Sequence, residues 1–347
     1  MTGAGPPRRA AAGPSVLGVV AAGAVVAALL AAAAVALDDG GTADAGGRGR
    51  DGRPAGEPAG SAALGATVER RATVERRATV ERRATVERRG SFAVPCELSH
   101  SAPDDPIVHR GHHGRSHRHD FFGATATGAS STAATLLAGD TTCRSVADHS
   151  AYWVPALLAG GRPVPPTHAI AYYRTPVGAD AADVVPPPDG LEMIAGDATA
   201  RRPQGRSVVR WACDSREAGA ATPRRCPAGA ELRVRLTFPQ CWNGEHLRTR
   251  DHRSHLARLP GSDEERSVAG AACPASHPVL IAEVTLEVRY RDVPGGALEL
   301  ASGPVTGGHG DVLVAWEREQ LESEVDICLR RNLSCDVVSE PGRLDVP

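Results

Sequence analysis

Residues 231–238 alternate without a break, Leu232, Val234, Leu236 and Phe238 interleaving with Glu231, Arg233, Arg235 and Thr237. A period of two is that of a strand with one face buried and the other wet. The end of the run 279–290 repeats it, with Val284, Leu286, Val288 and Tyr290 between Thr285, Glu287 and Arg289. Shorter β-type runs occur at 151–154, 169–173 and 207–212, separated by Pro- and Gly-rich turns such as V-P-P-P-D-G at 185–190. Helical spacing predicts one helix over 312–329, from Val314, Trp316, Leu321, Val325 and Cys328. The pattern predicts a mainly β domain over 92–331: an antiparallel β-sandwich or distorted barrel with long loops, one C-terminal helix and a short polar tail at 332–347.

Upstream the pattern changes twice. Residues 16–37 are apolar or small throughout and follow Arg8 and Arg9. That length spans a bilayer as a helix. Cations before it and Asp38-Asp39 after it place residues 1–15 in the cytoplasm and the rest outside, as a single-pass membrane protein. The competing reading is a secretory signal cleaved after Ala34-Val35-Ala36, which makes the protein secreted. Residues 38–65 are Gly, Ala, Asp, Arg and Pro without apolar periodicity, a linker. Then A-T-V-E-R-R runs four times over 66–89. Six helical residues turn through about 600°, so the valines form no stripe. The repeat reads as a spacer, or as a basic arm touching anionic surface polymer.

Composition narrows the partners. Formal net charge is -2, so no overall field favours nucleic acid. All 39 basic residues are Arg; with the Ala, Gly and Pro excess this reflects coding bias and is not evidence of phosphate recognition. The eight cysteines all follow residue 95 and none forms C-x-x-C, which disfavours zinc ribbons and thioredoxin chemistry. An even number in an exported region reads as a disulfide framework, with about 105 connectivities open. Closeness suggests Cys213–Cys226, Cys241–Cys273 and Cys328–Cys335, leaving Cys96–Cys143.

Several phrases then occur in order: D-D-P-I-V at 104–108, S-H-R-H-D-F-F-G at 116–123, D-H-S-A-Y-W-V-P at 148–155, G-L-E-M-I-A-G-D at 190–197, F-P-Q-C-W-N-G at 238–244 and D-H-R-S-H at 251–255. With them the chain resembles the DUF1996 family of exported bacterial and fungal domains. The resemblance covers about 92–328 and implies secretion or surface exposure and a Cys-stapled domain; it implies no reaction. Asn243 stands where the family pattern leads one to expect Asp, and Val312 where it leads one to expect Phe.

Candidate chemistry concentrates in residues 104–123, which hold five of the thirteen histidines. Buried imidazoles and carboxylates need partners, a metal or solvent. His117 and His119 share a face if extended, as do His309 and Asp311, while His252 and His255 neighbour each other on a helical turn. Convergence of His117, His119, His252, His255 and His309 would suit a divalent metal such as zinc with one position open. Asp120, Asp251 and Asp311 are the acid or base candidates, alongside Asp105, Glu192 and Asp197. Tyr152, Trp153 and Trp242 are candidate sugar-stacking faces or core. Hydrogen-bonded loop bracing is the alternative role for the His/Asp cluster, and His109, His112 and His113 among glycines read as exposed loop residues. No G-x-S-x-G or phosphate-binding glycine loop occurs. The functional expectation is an envelope hydrolase acting on carbohydrate, or a non-catalytic surface module binding polysaccharide or a protein partner.

Overall fold

The alternating segments pair with one another: Leu232 lies opposite Tyr290, Val234 opposite Val288 and Leu236 opposite Leu286, so their apolar faces coincide. This pair belongs to a computed structural model that describes residues 89–214, 218–261 and 269–337. The apolar segment 16–37, the linker and all of the repeat but Arg89 lie outside the described residues. Among the described residues no helix is long and apolar enough to cross a membrane.

Two large sheets are built from β1 (Ser91–Cys96), β2 (Leu98–Ala102), β3 (His119–Gly123), β4 (Ala151–Pro155), β5 (His168–Arg174), β6 (Glu192–Gly196), β7 (Val209–Ala212), β8 (Leu232–Thr237), β9 (Glu283–Tyr290), β10 (His309–Leu313) and β11 (Ser334–Val337). One has six strands in the order β11-β1-β5-β9-β8-β7, the other five in the order β2-β3-β4-β10-β6. Their ladders are antiparallel except β1–β11, which is parallel. The main core draws on both sheets, Val94, Tyr173, Leu286 and Val234 from one packing with Phe122, Tyr152, Met193 and Val312 from the other. The expected antiparallel β-sandwich is therefore the fold.

The five-stranded sheet is covered on both faces, and β3, β4, β6 and β10 are buried at every position. Its second face carries a smaller core of Phe121, Trp153, Ile194 and Leu313 under Ile107 and Leu136. Leu136 comes from a short helix, α1 (Ala133–Leu137), capped by Thr132 and Thr135 and not anticipated from periodicity.

The C-terminal helix is shorter than its spacing predicts. Val312 and Leu313 end β10, and the helix α2 (Arg318–Glu324) runs on into a π-helical turn, Val325–Leu329. Val312, Val314 and Trp316 also fit a period of two, and pairing of β10 with β4 and β6 decides between the periods. The domain also extends past residue 331, because β11 pairs with β1. All four disulfides suggested by spacing are present: Cys96–Cys143, Cys213–Cys226, Cys241–Cys273 and Cys328–Cys335.

Candidate metal centre

Alternation along the five-stranded sheet decides which side chains can meet. On β3, His119 and Phe121 share the second face while Phe122 points into the main core. On β10, Leu313 marks the same second face, so Asp311 and His309 lie on it at steps of two. Register aligns them: His119 is opposite Pro155, Asp311 lies between Trp153 and Ile194, and His309 is opposite Gly196. His119 and His309 thus stand near one end of this face, with Asp311 one step inward.

His117, just before β3, completes a triad. One ligand atom from each of His117, His119 and His309 lies within 4.8 Å of the others, and the His309 Nε2–His117 Nε2 distance is 3.2 Å. Tetrahedral zinc with bonds of about 2.0–2.1 Å sets its nitrogens roughly 3.4 Å apart. His119 Nδ1 donates to the Asp104 carbonyl at 2.9 Å, and His309 Nδ1 donates to the Gly307 carbonyl at 2.8 Å. A carbonyl only accepts, so in both neutral rings the hydrogen sits on Nδ1 and the lone pair on Nε2. This is how a metal-binding histidine is oriented in advance. His119 Nε2 is buried without a partner. His117 is half-buried and leaves the cluster reachable from solvent.

The electrostatics keep these rings neutral. Burial pushes His117 down to about 4, reinforced by His309 and His109. It pushes His119 well below the ordinary imidazole range, with His117 adding to the effect, and lowers His309 against the opposing Gly307 hydrogen bond. Three neutral imidazoles are a nitrogen ligand set for zinc or a similar ion. The residues present fit such a metal.

Carboxylates line the inward side. Asp311 is buried with Oδ2 unpartnered, and burial, then the neighbouring Asp105, raise it well above the carboxylate range. Asp105 caps its own loop, accepting from the amides of Ile107 and Val108 at 2.8 and 2.9 Å. Burial pushes Glu192 up to about 7 although Arg110 forms an ion pair with its Oε1 and Arg248 lies 3.9 Å from it; desolvation outweighs both cations.

The other candidates go elsewhere. Both ring nitrogens of buried His255 are engaged, Nε2 with the Glu192 carbonyl at 2.7 Å and Nδ1 with Thr249 Oγ1 at 3.1 Å. It braces the 249–255 loop and lies outside the triad. Asp251 is also a brace: Oδ1 accepts from Thr249 Oγ1, Ser254 Oγ and the amides of Arg253 and Ser254. These bonds, the Thr249 hydroxyl first, hold it below the usual carboxylate range. His252 stays out of the triad, in a left-handed conformation with φ 60°. Asp120 alternates to the opposite face from His119 and accepts from Ser101 Oγ at 2.6 Å. Tyr152 and Trp153 are fully buried and present no face to a sugar, while Trp242 is half-buried and donates to the His246 carbonyl. His112 and His113 are exposed, as loop residues among glycines should be, whereas His109, expected with them, is half-buried. Cys96, Cys143 and Asp148 also lie close together, but both sulfurs are in the disulfide, leaving no thiolate to bind a metal.

Arginines of two loops were not anticipated as site residues. Arg110 belongs to the 105–114 loop, and Arg248, Arg250 and Arg253 to the loop before His255. Their signal was present in R-T-R-D-H-R at 248–253, but overall Arg richness hid it.

The family model for a domain of unknown function, DUF1996, matches residues 105–316. The chain belongs to the DUF1996 family. The matched span of this DUF1996 domain runs from the Asp105 loop through β10 and includes the three histidines, Asp311 and both arginine-bearing loops. Cys96, Cys328 and Cys335 fall outside it. No curated protein and no solved structure matches the chain. At the two departures from the expected pattern, Asn243 Oδ1 accepts from the amides of Glu245 and His246, and Val312 is core.

Proposed function

We propose that this DUF1996 protein is an exported, membrane-tethered envelope hydrolase that acts on carbohydrate through a divalent metal, such as zinc, held by His117, His119 and His309. The observation that carries the reading is the convergence of these imidazoles, with two Nδ1 atoms fixed by backbone carbonyls and His119 Nε2 buried and unpartnered. A metal in such a site supplies Lewis acidity and activates water near neutral pH. Asp311, two residues from His309 on the same face, keeps its proton near neutral pH and would be the acid for the leaving oxygen. Glycoside hydrolysis would bond the water oxygen to the anomeric carbon as that carbon's bond to the leaving oxygen breaks, Asp311 giving its proton to the leaving oxygen and regaining one from the water. Export is supported by the four disulfides, which persist in oxidising compartments.

Elemental analysis of the purified full chain, alone and after zinc loading and gel filtration, is the test. One metal per chain is expected in the wild type and none in His117→Ala; half-buried His117 can be removed without opening the core. A chain that stays metal-free after loading, or retains its metal in both His117→Ala and His309→Gln, would sink the proposal. A glycan panel assayed with and without chelator then tests the hydrolase claim.

A further inference from the structure

Two clefts flank β6, the edge strand of the five-stranded sheet, and His252 lines both. The first, about 480 Å³, lies between the 105–114 loop and the loop carrying Arg248 and Arg250, with Glu192 in its floor. The second, about 310 Å³, is lined by Ile194, Gly196, Arg253 and Arg258. Together they form a groove along the strand next to the one bearing His309. Arg253 ties the groove to the metal site: its Nη2 donates to the Gly196 carbonyl at 2.7 Å, and its charge acts on both His309 and Asp311.

The groove is strongly cationic. Arg110, Arg248, Arg250, Arg253 and Arg258 line it, and Glu192 is the acid in its wall. Asp197 lies near Arg253, and Asp251 spends its Oδ1 inside the loop. Arg250 is exposed and has no hydrogen-bond or ion-pair partner among the described residues, while exposed Arg248 reaches Glu192 only at 3.9 Å. Cations aimed into a groove beside a reactive centre select an anionic ligand and hold it there.

We infer that the groove along β6, one strand away from His309, binds an acidic polysaccharide, its uronate-type carboxylates taken by Arg248 and Arg250. The inference rests on the carbohydrate reading above and names its substrate class. The test is retention of the full chain on immobilised polygalacturonate, dextran sulfate and neutral dextran at low and high salt. Retention on polygalacturonate, released by salt and absent on neutral dextran, is expected. Arg248→Ala with Arg250→Ala should weaken it about tenfold, as two exposed charge contacts would. Equal retention on neutral dextran, retention on dextran sulfate alone, or an undiminished double variant would overturn the inference. His117→Ala separates the two claims: it empties the metal site yet should still hold polygalacturonate, so loss of metal and loss of polymer are read independently.

Discussion

At the scale of single residues, two buried histidines differ in where the second nitrogen goes. His119 and His255 are both fully buried, but His119 keeps Nε2 unpartnered whereas His255 spends both nitrogens on the protein. His255→Ala should therefore cost roughly 2–3 kcal/mol, the usual penalty for leaving buried partners unsatisfied, and leave metal stoichiometry unchanged in refolded protein. Urea denaturation paired with metal analysis reads both. If His255→Ala loses metal while keeping its stability, the assignments are reversed. Spacing in the sequence placed both residues among possible ligands, because it records which imidazoles can be neighbours and not which hydrogen bonds they already make.

At the scale of elements, the centre depends on how closely β6 approaches the turn leading into β10. Gly196 has φ 78°, and a Cβ there would lie 2.2 Å from the Gly308 carbonyl oxygen and 3.0 Å from His309 Cα. Gly196→Ala must push the strands apart at His309, with an expected loss of roughly 2–3 kcal/mol and weaker metal retention. Gly205→Ala is the control, since a Cβ there meets only Ser207 Oγ at 3.6 Å. Equal urea midpoints for the two variants would refute the close-approach argument. The alternating strands β8 and β9 were legible because each has one wet face. The five-stranded sheet was harder to read: burial on both faces removes alternation, and its polar residues sit inside.

At the scale of the whole molecule, a buried hydrogen-bond chain joins the sheets. Trp316 Nε1 donates to Tyr173 Oη, Tyr173 pairs with Tyr152 at 2.8 Å, and the Tyr152 hydroxyl donates to Asp148. Burial raises Asp148 to about 7, against hydrogen bonds from Tyr152 and Ser150. The folded protein therefore holds this proton more tightly than the unfolded chain. Its contribution is full below the unfolded carboxyl range and is lost as pH rises toward 7, by about 4 kcal/mol in all. Both facing tyrosines stay neutral, since burial raises them further from that window. Urea midpoints from pH 4 to 8 should fall for the wild type and fall less for Asp148→Asn; parallel curves would rule the origin out.

Chain order and residue type alone determined the β class and the family and suggested the cysteine pairing, because strand alternation, closeness between cysteines and linear motifs are local properties. They also brought His117, His119 and His309 into consideration. Only the tertiary structure decided that these three converge while His252 and His255 do not, and that Asp120 faces away. Those outcomes depend on register between β3, β4, β10 and β6, strands distant in sequence whose pairing places each side chain on one face or the other.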